Sequence, residues 1–334
     1  MKWLKLPDGF PTQRLPFYLA MEEWAARDLA HIGDDLFFMW QVRPTVIFGR
    51  NQRIEAEVDL DYCRRNGIEF YRRKSGGGCV FADMNNIMFS YITTADDVVT
   101  TFSHYTGLVA RFLRSLGLDA SDTSRNDVLI SGRKVSGNAF YHLPGRCIAH
   151  GTMLYDADFT HLANALTPSR SKLESKGVKS VESRITTIRE HLPQLGIEEF
   201  KQRALESLTD GTIAVTPAQI EEIRAIEEPY YNPRWIHGSR QSSTISRQTR
   251  IEGVGEFHAD IDTRGAGDII ERVNLSGDFF MLGDLDTLLL NRLHGVRLGR
   301  REILDALAGT DPALAVPGLT REHLAALLAG QETD

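Results

Sequence analysis

The sequence predicts an α+β fold, in which a mixed, mostly antiparallel sheet flanked by helices is followed by a small C-terminal α/β module. Three observations carry this. Short apolar, β-branched and aromatic runs bounded by turn residues recur between Leu36 and Tyr155. The stretch Val98 to Leu116 sets Phe102, Tyr105, Val109, Phe112, Leu113 and Leu116 three and four residues apart, the period of an amphipathic helix that packs on a sheet. Past a polar stretch, Gln241 to Arg247, the pattern switches to alternating strands followed by short helices. With 334 residues and domains usually of about 100–200, two domains are expected, residues 1–240 and 241–334.

Each element follows from its residues. Phe17 to His31 places Leu19, Trp24, Ala25 and Leu29 near helical spacing with charges between them. Strands are expected at Leu36 to Trp40 and Thr45 to Phe48, broken at Pro44 and closed by Gly49. A helix from Asp59 to Arg65 stops at Asn66-Gly67, and strands follow at Ile68 to Arg72, Cys79 to Ala82 and Ile87 to Ile92. Val128-Leu129-Ile130, the turn Ser131-Gly132 and Lys134 onward read as a hairpin, with a further strand from Cys147 to Tyr155. Helices dominate Phe159 to Glu228, up to the break Pro229-Tyr230-Tyr231-Asn232-Pro233. In the module, strands lie around Ile251, Phe257 to Ile261 and Ile269 to Leu275, and helices near Leu285 to Leu293, Glu302 to Leu307 and Glu322 to Leu328.

Composition narrows the function. Hydrophobic residues make up 42% and charged residues 25%, which fits a folded soluble protein. No apolar run approaches the ~20 residues that span a bilayer, and Met1 to Pro7 lacks a signal-peptide core, so a cytoplasmic location and no membrane partner are expected. Cys63, Cys79 and Cys147 lack the paired spacings of a zinc site and are too few for a disulfide framework. The formal charge of -7, with scattered basic residues, argues against nucleic acid. A monomer is expected.

Two segments carry chemistry. In Arg72-Arg73-Lys74-Ser75-Gly76-Gly77-Gly78-Cys79-Val80-Phe81 three glycines remove every Cβ behind three cations, so the main chain can turn its N–H groups toward an anion. A flexible surface turn is the other reading. Neither a Walker loop nor a dinucleotide-binding fingerprint is present, and Gly253-Val254-Gly255 and Gly265-Ala266-Gly267 read as hairpin turns. In Asn126 to Ala139, Lys134 follows a tight turn and precedes Ser136-Gly137-Asn138-Ala139, small residues that allow close approach. Taken alone, Lys134 fits a solvated hairpin lysine and His150 an ordinary strand histidine.

Together the segments say more. Arg72-Arg73-x-Ser75-Gly76-Gly77-Gly78, Asn126-Asp127 with Gly132-Arg133-Lys134-x-Ser136-Gly137-Asn138-Ala139, and His150-Gly151-Thr152-x-Leu154 stand in that order. Lys172-Leu173-x-Ser175-Lys176-Gly177-Val178-x-Ser180-Val181-x-Ser183-Arg184-Ile185 follows. In order and spacing this set closely resembles the lipoate-protein ligase family. Leu19 to Glu23, Trp40 and Thr45 to Gln52 look like that family's opening blocks, and the resemblance covers about residues 15 to 240.

The resemblance implies the biotin/lipoate ligase fold with a small C-terminal accessory domain. It implies a ligase that uses ATP and Mg2+ to convert lipoate to lipoyl-AMP with release of pyrophosphate, and then transfers the lipoyl group to one lysine of a carrier. The implied carriers are lipoyl domains of 2-oxoacid dehydrogenase acyltransferase subunits and the H protein of the glycine cleavage system. Carried over by residue, Arg73, Gly76, Gly77, Gly78, Cys79, Val80, Phe81 and Lys134 would bind ATP, and Lys134, Trp40, Ser75 and His150 would bind lipoate, with Lys134 catalytic. Asp127 is a candidate Mg2+ ligand or a structural turn residue. Trp40 and Phe81 are candidates for the wall of an acyl tunnel or for plain core. Where many members have a histidine after the Val-Phe pair and a glycine two residues past the aspartate, this chain has Ala82 and Asn85, so altered pocket contacts with retained activity are expected.

Two rivals remain. An octanoyl- or lipoyl-transferase of the same fold would work through a reactive thiol, for which Cys79 and Cys147 are poorly placed. A non-catalytic lipoyl-carrier binding protein would not need Lys134, Arg73 and the glycine loop intact. Biotin ligases share the fold but carry a differently composed loop.

Overall fold

The computed structural model describes residues 1–29, 31–94, 98–123, 126–143, 145–166, 184–238, 245–265 and 268–330, and among these described residues fourteen strands form the sheets. They are β1 (Lys2–Lys5), β2 (Leu36–Trp40), β3 (Thr45–Phe48), β4 (Glu69–Arg72), β5 (Val80–Ala82), β6 (Asn86–Thr93) and β7 (Ala120–Asp122). Next come β8 (Asp127–Ile130), β9 (Arg133–Leu143), β10 (Arg146–Leu154), β11 (Gly211–Ala214), β12 (Ile245–Ile251), β13 (Gly255–Arg264) and β14 (Ile269–Asp278). Compactness divides the chain into two units. The first comprises Met1–Phe48, Glu55–Arg73 and Cys79–Ile236, and the second Gly49–Ile54, Lys74–Gly78 and His237–Asp334.

In the first unit an eight-stranded sheet runs β11-β1-β2-β6-β10-β9-β8-β7, and a smaller one runs β4-β3-β5. β1 pairs parallel with β11 and β2, and β3 parallel with β4; the other pairings are antiparallel. Strands β1, β7 and β11 were not among those expected from the sequence, and β11 interrupts a stretch read as helical. All three have only three or four residues, too short to show a period.

Helices cover both faces of the large sheet. Leu15–Asp28 starts with a proline in its first turn and is buried from Leu15 to Ala26, because it lies between the sheet and the helix Pro217–Glu227. Its partners in the core are Leu36, Phe38, Trp40, Met88, Ile92 and Ile148. Strand alternation sends Phe37, Phe89 and Tyr91 to the opposite face, where Tyr91 stacks on Tyr105 of the helix Val98–Ser115 at 5.6 Å. Phe102 of the same helix meets Phe140 at 5.0 Å.

The second unit holds the antiparallel sheet β12-β13-β14. Phe257, Ala259 and Ile261 alternate inward against Leu289, Leu293, Ile303, Leu307, Leu324 and Leu328 of the helical segments that follow. Gly253-Val254-Gly255 turns the chain between β12 and β13 as expected, whereas Ala266 and Gly267 of the second glycine pair lie outside the described residues.

One buried cation ties the entry of β10 to the end of the first helix. Arg146, fully buried, donates to the carbonyl of Leu29 (2.9 Å), which also accepts from the Ile32 N–H, and to that of Ile32 (2.7 Å) just past the helix end. Arg146→Ala removes both bonds and leaves a cavity, so urea titration is expected to show a loss of about 3 kcal/mol. A change below about 0.5 kcal/mol would contradict this role.

Candidate functional site

The lysine hairpin is shaped by its turn and by a bulge. Ser131 (φ +48°) and Gly132 (φ +78°) both adopt left-handed backbone, a two-residue turn whose twist suits a tight hairpin. Leu129 pairs with Lys134, but Val128 pairs with Ser136 and Asp127 with Gly137, so one extra residue is accommodated on β9. Across this irregularity the Lys134 Nζ comes 2.7 Å from Asp127 Oδ1, with the two side chains 36% and 30% exposed. Gly137 makes the room: a Cβ there would stand 2.6 Å from Nζ. On its other edge, Lys134 donates its N–H to the carbonyl of Arg184 and accepts from Thr186, both at 2.8 Å. The lysine main chain is therefore held on both sides. Arg133 ion-pairs with Glu190, whose carboxyl sits below its usual range because Arg133 and Thr186 donate to it.

A second set of hydrogen bonds closes the base of the hairpin beside β10. Asn138 donates its amide N–H (2.9 Å) and main-chain N–H (3.0 Å) to the carbonyl of Asn126, and its own carbonyl accepts from the Asn126 side chain at 3.2 Å. Gly151 leaves space for that amide, since a Cβ on it would fall 1.8 Å from Asn138 Oδ1. Both glycines of the motifs thus accommodate side chains of the motifs.

Beneath the sheet runs a buried polar chain. Trp40 Nε1 donates to Ser90 Oγ (2.8 Å), Ser90 donates to Glu22 Oε1 (2.5 Å), and His150 Nδ1 lies 3.0 and 2.9 Å from the two Glu22 oxygens. Glu22 and Ser90 have no exposure, and Trp40 and His150 only 4% and 5%. Tyr18 stacks on Trp40 at 5.0 Å, and the Tyr141 ring lies 6.1 Å from His150. Burial, with Tyr230 and Glu22 nearby, raises the Tyr141 hydroxyl well above its ordinary value and keeps it protonated. Trp40 and His150 were expected from the sequence; Glu22 and Ser90 were not. The available signal was the pair Glu22-Glu23 inside an otherwise apolar helix.

Strand β5 separates other candidates. Val80 and Ala82 face the core that contains Trp40, whereas Phe81, on the alternate face, lies 6.0 Å from the ring of His161. Ala82 is fully buried opposite Thr45. Asn85 sits in a turn without positive φ, so no glycine is required there. Arg73 is buried and donates from Nη1 to the carbonyl of Ile47 at 3.0 Å. Its neighbour Arg72 donates to the carbonyls of Trp235 and Ile236 and stacks over Phe48 at 4.7 Å; burial lowers it to about 10.

The glycine loop belongs to the second unit. Gly77 (φ +82°) donates to the carbonyl of Phe279 at 3.0 Å, and a Cβ on Gly76 would lie 2.4 Å from the same oxygen. A Cβ on Gly78 would stand 3.2 Å from Asp278 Oδ2. Ser75 is fully buried and its carbonyl accepts from Arg50 at 2.9 Å. Cys79, in the first unit, is half-buried. Among the described residues no group of three His, Cys, Asp or Glu side chains could hold a metal ion, and no helix is long and apolar enough to cross a membrane. The motif residues 172–183 lie outside the described residues; of that motif, Arg184 and Ile185 flank Lys134.

Comparison with known proteins agrees with these motifs. Residues 15–209 match the family described as lipoyl protein ligase A/B catalytic domain, and residues 241–328 match the bacterial lipoate protein ligase C-terminus. The chain is 33% identical to lipoate-protein ligase LplJ of Bacillus subtilis, over 93% of this chain and 95% of that one. Among solved structures it is similar to P. falciparum LipL1 in complex with lipoate, with TM-score 0.76 and 16% identity over 93% and 94% of the two chains, a likeness of fold. A chain from the structural analysis of an archaeal lipoylation system, a bi-partite lipoate protein ligase and its E2 lipoyl domain from Thermoplasma acidophilum, gives TM-score 0.63 and 26% identity over 73% of this chain and 98% of that chain. The mixed sheet is thus that of the biotin/lipoate ligase fold, and the chain belongs to the lipoate-protein ligase family.

Proposed function

We propose that this protein activates lipoate with ATP, releasing pyrophosphate, and passes the lipoyl group from lipoyl-AMP to a lysine of a lipoyl domain. The observation that carries the reading is Lys134, whose ammonium rests over Gly137 against Asp127 while its main chain is held on both edges. A carboxylate does not acylate an amine at neutral pH, so it needs a leaving group. Attack of the lipoate oxygen on the α-phosphorus brings two anions together, and a preplaced ammonium stabilises the charge that develops. The same ammonium then polarises the mixed-anhydride carbonyl for attack by the carrier amine. Arg73, the amides of Gly76 to Gly78 and residues Cys79 to Phe81 serve the nucleotide in this reading.

Mg2+ fits what is present. It keeps most of its shell as water and phosphate oxygens and needs only one or two carboxylates from the protein, and Asp127, with its partly exposed carboxylate, would hold it. Bound there, it would neutralise the phosphates. For the acyl chain, Trp40, His150 and Ser75 are assigned as contacts, with Glu22 and Ser90 fixing Trp40 and His150 from behind. The carriers are lipoyl domains of 2-oxoacid dehydrogenase acyltransferase subunits and the glycine cleavage H protein, and the protein acts as a cytoplasmic monomer.

The thioester route is the weaker reading. Cys63 and Cys147 are buried, and burial raises the Cys63 thiol, which keeps it from being a thiolate. A non-catalytic role leaves the Lys134–Asp127 arrangement without use.

Lipoate-dependent exchange of pyrophosphate into ATP tests the reading. Lys134→Ala is expected to lower exchange by at least about 10³-fold; exchange that survives intact, or acyl transfer independent of ATP, would overturn it. Gly137→Ala places a methyl where the ammonium sits, and a flexible amine can move aside, so a rate loss of about 10²-fold with an unchanged melting temperature is expected. Glu22→Gln keeps the shape but removes the charge facing His150. Titration of each substrate should show KM for lipoate rising about tenfold and KM for ATP unchanged; an equal rise in both would exclude this role.

A further inference from the structure

We infer that the end of β14 occupies the glycine loop as an internal substitute for nucleotide phosphate, and that ATP binds by displacing the Asp278 carboxylate and the Phe279 carbonyl. This rests on the reading that Gly76 to Gly78 receive the phosphates. Three successive glycines all face one short segment. The Gly77 N–H donates to Phe279 O, Gly76 lies so close that a Cβ would be 2.4 Å from that oxygen, and a Cβ on Gly78 would stand 3.2 and 3.3 Å from the two Asp278 oxygens.

The segment that reaches the loop is itself built for close approach. Gly277 (φ +141°) donates to the carbonyl of Asn51 at 2.6 Å, and a Cβ on it would fall 2.0 Å from the carbonyl of Glu256. Gly255 lies under the next turn, where a Cβ would be 2.3 Å from the carbonyl of Asp278. Arg50 closes the arrangement by donating to Ser75 O at 2.9 Å. Loop, residues 49–54 and the end of β14 therefore form one backbone junction, in which the Phe279 carbonyl takes the Gly77 amide and the Asp278 carboxylate stands beside Gly78.

Two anions do not share such a site. A phosphate chain entering it must separate Asp278 from Gly78 and break the Gly77 to Phe279 hydrogen bond. The intrinsic affinity for ATP is then reduced by the fraction of molecules in which the junction is closed.

The test is ATP binding by calorimetry at fixed Mg2+ without lipoate, comparing the wild type, Asp278→Asn and Asp278→Glu. Asp278→Asn is expected to tighten Kd about three- to tenfold, and Asp278→Glu to stay near the wild type. Hydrogen exchange of the wild type provides a measure that needs no variant: saturating ATP should speed exchange in the peptide spanning Gly277 to Phe280. Unchanged or weaker binding by Asp278→Asn, or slower exchange in that peptide, overturns the inference while leaving the ligase reading intact. A wild type that neither binds ATP nor supports lipoate-dependent exchange overturns both.

Discussion

A carboxylate withdrawn completely from water must find donors as the chain folds, and Glu22 is such a group. Its donors come from two neighbouring strands. Ser90 in β6 and His150 in β10 stand directly opposite each other in the ladder, so both point at the helix that carries Glu22. Sliding β10 by one residue would send His150 to the other face and leave the carboxylate short of a partner, at a cost of several kcal/mol. The buried charge thereby selects the register at the centre of the sheet. The consequence travels outward: with His150 opposite Ala139, Gly151 falls opposite Asn138 and Thr152 opposite Gly137. Those positions seat Asn138 and Lys134. The hairpin that carries Lys134 is thus aligned by a carboxylate on the far side of the sheet's middle strand.

Part of this was legible in the sequence. Leu36–Trp40 and Thr45–Phe48 fold at the expected residues because Pro44 and Gly49 punctuate dense β-forming runs. Val98–Ser115 is legible because its apolar residues keep a helical period over several turns. Strands β1 and β11 are different: Lys2–Lys5 becomes a strand by pairing with residues beyond position 210 and with Leu36–Phe37, and no local pattern announces a partner so distant. At the site, Lys134 and His150 stood out through motif context. Glu22 and Ser90 did not, since a glutamate in a helix ordinarily marks the solvated face and a serine in an apolar strand carries no signal. Only the pairing of strands shows that these residues meet.

The glycines separate into two physical classes that sequence reading merges. At Gly137 the nearest obstacle to a side chain is the tip of Lys134, an ammonium on four rotatable bonds. At Gly76, Gly255 and Gly277 it is a carbonyl oxygen of the main chain, held by β-structure or by a hydrogen bond. A rotor yields to a methyl group at little cost in stability and much cost in position, whereas a main-chain carbonyl yields only if the surrounding backbone moves. Gly137 therefore protects geometry, and the other three protect a junction. A run of Gly-Gly-Gly suggests a cradle for an anion, and here the cradle is lined on one side by the protein's own oxygens. The loop is thereby constrained by the end of β14: glycine fits at positions 76 and 78 because it presents no side chain to the Phe279 carbonyl or the Asp278 carboxylate, and at position 77 the main-chain N–H is held by that same carbonyl.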